Sequence, residues 1–203
     1  MAARVLGFGV AVAVGLAAGL GLGIATKRRR RVPCPKKRVV FLDIDGVLNR
    51  TKHADQVTLE KDLVDKLKTI LSREGHDDVQ IVLSTFWRPF DDYIGYALYR
   101  VSGIDGSLVI GATPGMSKGT PVQTSPVGHL LHAEAFDHTD HYPTRAAEIR
   151  QWLRHHPTVT HYAILDDRKD AADGELLASF VRTEPSEGLT DEHVKKAIQI
   201  LSA

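Results

Sequence analysis

The 203 residues carry 26 Lys and Arg against 25 Asp and Glu, a formal net charge of +1, and are 43% apolar, which suffices for one ordinary domain with a sizeable core plus an appendage. The balance is uneven: residues 1–38 hold nine basic residues and no acid, whereas the remainder has 17 basic against 25 acidic residues, a net of −8. A lone cysteine, Cys34, excludes an intrachain disulfide, and the acidic body argues against a basic fold surface of the kind that reads nucleic acid.

Val5 to Ala25 is 21 residues without a charged or hydrogen-bonding side chain, about 31 Å as a helix and therefore long enough to span a bilayer. Gly23-x-Ala25 resembles a signal-peptide cleavage site, but the apolar run exceeds a signal core and five basic residues, Lys27 to Arg31, follow it directly. The pattern predicts an uncleaved transmembrane anchor at 1–26 and a basic juxtamembrane neck at 27–38. The following domain then faces the cytosol, from the endoplasmic reticulum or the outer mitochondrial membrane. The neck suits anionic lipid, and Cys34 within it, beside the apolar segment, is a palmitoylation candidate weighed against an unmodified flank. Gly15, Gly19 and Gly23 share one helix face, where close backbone approach would permit a homodimer.

From Val39 the pattern alternates strand and helix. Val39 to Leu42 reads as a buried strand running into Asp43-Ile44-Asp45-Gly46. Thr58 is positioned to cap a helix from Leu59 to about Arg73, ended by Gly75. Val79 to Leu83 is a second strand ending in Ser84-Thr85, with a helix over Pro89 to Arg100 and a weaker strand over Ser107 to Ala112. Gly115 to Pro143 is loop-like and holds four histidines, His129, His132, His138 and His141, without helical metal spacing. Thr144 caps a helix through Arg154; a strand over Thr160 to Leu165 ends in Asp166-Asp167, with Asp170 beyond. A short strand over Ser179 to Arg182 and a helix over Thr190 to Leu201 complete the chain. This order predicts an α/β fold, a three-layer sandwich with a mostly parallel Rossmann-like sheet over 39–203.

In such sheets chemistry sits outside the carboxyl ends of the strands. Two carboxylates at i and i+2 there repel each other unless a cation relieves them, and Mg2+, which takes oxygen ligands, is the simplest relief. A calcium loop is a poorer reading, because a strand precedes Asp43 and loop position 12 is Ala54.

Taken together, Asp43-Ile44-Asp45-Gly46-Val47, Ile81-Val82-Leu83-Ser84-Thr85 and Leu165-Asp166-Asp167 resemble the first, second and fourth motifs of the haloacid dehalogenase-like (HAD) superfamily of phosphohydrolases. Arg145, at a helix start, best matches the basic third motif, with Lys118 as its rival. The resemblance implies a phosphomonoester hydrolase working through an aspartyl-phosphate. Asp43 is then the nucleophile, Asp45 the acid and base, Ser84 a hydrogen-bond donor to the phosphoryl oxygens, and Arg145 the neutralising cation. Mg2+ is held by Asp43, the backbone carbonyl of Asp45 and Asp166, with Asp167 or Asp170 behind. Thr85, Arg88 and Lys118 are candidate substrate-binding residues; Trp87 either contacts substrate or packs, and Arg88 either contacts substrate or pairs with an acid.

About 34 residues between the first two motifs leave no room for a large cap, which implies a small capless member and a large or exposed phosphorylated substrate. The Phe180 to Thr190 tail resembles small members found beside RNA-repair enzymes, which keeps a nucleic-acid end phosphatase as an alternative against the acidic body. The other alternative is a catalytically idle HAD-fold binding module at a membrane.

Overall fold

The computed structural model describes residues 37–52, 54–72, 79–115 and 142–203. The expected anchor over 1–26, nearly all of the neck, the Gly15, Gly19 and Gly23 face, Cys34, Gly75, Lys118 and the four loop histidines lie outside the described residues. Among the described residues no helix is long and apolar enough to cross a membrane.

Val39 to Leu42 are buried without exception, which requires a strand covered on both faces. They lie in β1 (Lys37–Leu42). The other strands are β2 (Val79–Leu83), β3 (Val109–Ala112), β4 (Val159–Asp166) and β5 (Phe180–Arg182). All neighbours pair in parallel, in the order β3-β2-β1-β4-β5. Side chains alternate across the sheet. Val40, Leu42, Ile81, Leu83, Leu165 and Val181 join one core with α1 (Lys61–Leu71), α2 (Asp91–Ser102) and α4 (Asp191–Ser202). Val39, Phe41, Val82, Ile164 and Phe180 join the opposite core with Ala146, Ile149 and Trp152 of α3 (Arg145–His155). The expected three-layer α/β sandwich is what these two cores describe.

Local chemistry explains where element ends agree with the expectations and where they move. The Thr144 hydroxyl accepts from the Ala147 amide at 3.2 Å and starts α3 as expected. Thr190 starts α4 in a capping box with His193. Thr58 caps nothing, because its hydroxyl donates to the Gln56 carbonyl. The chain stays non-helical to Glu60, whose carboxylate is engaged by the Arg50 amide and guanidinium, so α1 opens at Lys61. β3 begins two residues late because Asp105 accepts from the Ser107 amide at 2.9 Å and winds Gly106–Leu108 into a 3-10 turn. Between β4 and β5 the chain uses two further 3-10 turns, Lys169–Ala171 and Gly174–Ser179, which sequence periodicity did not disclose.

β2 and β3 lie on one side of β1, and β4 and β5 on the other. The chain therefore changes winding direction between β1 and β4, and a crevice opens at the carboxyl ends of such a pair.

Candidate active site

Strand register sets the first row of the site. The Asp43 amide donates to the Leu165 carbonyl at 3.0 Å, and the Ser84 amide donates to the Leu42 carbonyl at 2.8 Å. Ser84, Asp43 and Asp166 thus stand side by side at the ends of β2, β1 and β4. All three are buried.

Arg145, the first residue of α3, is buried between two of them. Its Nη1 donates to Asp43 Oδ2 and, at 2.6 Å, to Asp166 Oδ2. Asp43 Oδ1 accepts from the Ile44 amide at 2.7 Å, and Asp166 Oδ1 from the Arg168 amide at 2.9 Å. One guanidinium does not balance the acids. Burial, then the facing Asp43 carboxylate, push the Asp166 carboxyl up to about 7 against the lowering pull of Arg145. Burial and Asp43 raise Asp167 as well.

Asp43, Asp166 and Asp167 each offer a carboxylate oxygen within 4.8 Å of the others. An all-oxygen set with surplus negative charge fits a hard divalent cation, which would lift the pressure on Asp166. Asp167 reaches the cluster past Gly46, whose φ is +72°; a Cβ there would lie 2.9 Å from Asp167 Cβ and Cγ. The Thr183 hydroxyl fixes the same turn by donating to the Gly46 carbonyl at 2.7 Å.

The Asp45 carboxylate is outside that cluster. Its side chain is held by other groups: Asn49 Nδ2 donates to Oδ1 at 2.8 Å, while Trp87 Nε1 and the Ala54 amide donate to Oδ2 at 3.1 and 3.3 Å. Asp170 is also outside the cluster, bound by Arg168 at 2.8 and 2.6 Å.

Ser84 Oγ is buried and has no hydrogen-bond partner among the described residues. A buried hydroxyl left in that state costs about 1–3 kcal/mol, so its position asks for an acceptor. Thr85, also buried, has its hydroxyl accepting from the Trp87 amide at 3.3 Å.

Of the two readings of Arg88, the structure shows the pair with an acid and not the substrate contact. Its Nε donates to the Thr85 carbonyl at 2.8 Å, its Nη1 reaches the Pro114 carbonyl at 2.8 Å, and its Nη2 donates to Glu148 at 2.9 Å. With every guanidinium nitrogen engaged inside the protein, Arg88 ties the turn after β2 to α3.

A cleft of about 650 Å³ opens over Asp43, Asp45, Asp167 and Arg145. Lys52, Phe86, Arg168 and Arg182 also line it. Arg182 ends β5 and Thr183 follows it, both within the Phe180 to Thr190 tail noted above, whereas the approach of Lys52, Phe86, Arg168 and Asn49 depends on loop paths that the sequence pattern does not show.

A family model described as "HAD domain in Swiss Army Knife RNA repair proteins" matches residues 39–194, more than half of the chain. No curated protein and no solved structure matches.

Proposed function

The chain belongs to the family of HAD domains in Swiss Army Knife RNA repair proteins, within the HAD superfamily of phosphohydrolases, and from that premise we propose that it is a Mg2+-dependent phosphomonoester hydrolase. The observation that carries the reading is the unpartnered, buried Ser84 hydroxyl beside Asp43, at a site that also holds an arginine and a cluster of carboxylates. A phosphoryl oxygen is the acceptor that such a donor set lacks.

In the first half-reaction an Asp43 oxygen bonds to phosphorus and the bond to the leaving oxygen breaks. That oxygen takes a proton from Asp45. In the second, water bonds to phosphorus as it gives a proton to Asp45, and the Asp43 carboxylate departs, releasing inorganic phosphate. Ser84 donates to the phosphoryl oxygens throughout, and Arg145 balances their charge. Asp43, Asp166 and Asp167 would hold a divalent ion, whose charge would let a carboxylate meet a phosphate dianion.

The substrate reading has two arms. Lys52, Arg168 and Arg182 with the exposed Phe86 ring give the cleft cations and a stacking face together, and this favours the end of a polynucleotide. The family's description, which places such domains in RNA repair proteins, supports the same arm. A phosphoprotein or phosphometabolite is the other arm. We also propose that residues 1–26 anchor the chain in a membrane with the domain on the cytosolic side. Lipid then contacts the basic neck, and Gly15, Gly19 and Gly23 offer a face for self-association.

The test is hydrolysis of p-nitrophenyl phosphate by the full chain. Activity should require Mg2+ and vanish with EDTA or in Asp43→Asn. Hydrolysis that survives Asp43→Asn removes the assigned nucleophile. No hydrolysis of any phosphomonoester in a broad panel favours the idle binding module instead.

A further inference from the structure

Asp45 is gripped from three separate stretches of chain. Asn49 comes from the loop after β1, Ala54 from the polar segment before α1, and Trp87 from the turn after β2, 42 residues away. An indole N–H can only donate. The Trp87 ring is itself fixed: it meets Phe86 edge-on at 6.1 Å between centroids, Phe90 at 6.2 Å, and the apolar core beneath. Asn49 is buried and held at both ends, its Oδ1 accepting from the Gly46 amide at 3.1 Å and its Nδ2 also donating to the Thr58 carbonyl at 3.0 Å.

The two Asp45 oxygens are therefore unequal. Among the described residues Oδ2 receives two donors, which commit its lone pairs, whereas Oδ1 receives one and keeps a lone pair open. We propose that Trp87 is a positioning residue for proton transfer. It locks Asp45 through Oδ2, so that Oδ1 carries the proton given to the leaving oxygen and the proton taken back from water. This rests on Asp45 acting as acid and base, as set out above. Without the indole N–H only the Asn49 and Ala54 donors hold the carboxylate, Oδ2 keeps the longer of its two contacts, and the proton is held less firmly in line with the departing oxygen.

Leaving groups separate this role from packing. p-Nitrophenolate departs without a proton, whereas an alkoxide needs one. The full chain in Mg2+ is assayed on p-nitrophenyl phosphate and on an alkyl phosphate, glycerol 2-phosphate, with Asp45→Asn, Trp87→Phe and Phe90→Leu. Asp45→Asn should depress the alkyl substrate far more than the aryl one. Trp87→Phe should do so in the same sense, with about a ten-fold larger loss of kcat on the alkyl substrate and KM little changed. Phe90→Leu disturbs the same ring packing but keeps the N–H, and should leave the ratio of the two substrates alone. If Trp87→Phe shows no unfolding transition, benzothienylalanine at position 87 keeps the ring and removes only the donor. Equal losses on both substrates after removal of the N–H, with Asp45→Asn still discriminating, overturn the proposal. No discrimination by Asp45→Asn overturns the acid–base assignment on which it rests.

Discussion

Asp167 reaches the carboxylate cluster because position 46 has no Cβ, a dependence between two residues 121 positions apart that shows only in the fold. The glycine also holds a left-handed φ of +72°, where an L-residue costs about 1–2 kcal/mol. Gly46→Ala should lower the thermal midpoint and, by displacing Asp167, raise the Mg2+ concentration needed for half-maximal activity. A metal titration alongside thermal unfolding checks both; an unchanged Mg2+ requirement would remove Asp167 from the ligand set. At this scale the sequence was legible where chemistry is written into strand ends and a helix start: Asp43, Ser84, Asp166 and Asp167 at the former and Arg145 at the latter converge in the structure. It was illegible where a side chain's task depends on the path of a turn. Trp87 and Asn49 reach Asp45 through such turns, and Arg88, which reads equally as a substrate contact or as the partner of an acid, turns inward to Glu148.

Among the elements, the pair of Arg88 and Glu148 connects the turn after β2 to the first turn of α3, the helix that begins with Arg145. Both side chains are largely buried, and burial lowers the Arg88 pKa against the raising effect of Glu148. Removing one member of such a pair leaves an uncompensated buried charge and costs about 3–5 kcal/mol. Arg88→Ala should therefore show as a loss of stability in urea unfolding, and Arg145 should lose its alignment with it. A stable Arg88→Ala protein with a raised KM alone would favour the substrate-contact reading of Arg88 instead. Helix and strand identities followed from hydrophobic periodicity, and Thr144 and Thr190 marked helix starts because their hydroxyls are free to cap. The start of α1 was misread because a competing partner, Arg50, reaches Glu60 from ten residues away. The 3-10 turns between β4 and β5 are too short to produce a period.

For the whole molecule, alternation of strands and helices foretold a parallel sheet but not its order, since which strand lies beside β1 is decided by packing on both faces rather than by any one segment. That order brings the end of β4 beside the end of β1 and so assembles the site. The uncharged run from Val5 to Ala25 implies that the full chain stays with membranes through alkaline carbonate extraction; release into the supernatant would contradict the proposed anchor. The central claim is that Asp43 takes the phosphoryl group from the substrate. Its most direct test is acid quenching of the full chain during turnover, then peptide mapping by mass spectrometry with and without hydroxylamine. A hydroxylamine-labile phosphoryl group is expected on the peptide bearing Asp43 and absent from Asp43→Asn. Turnover with the phosphoryl group on another residue, or with Asp43 unmodified under conditions that trap acyl phosphates, would contradict it.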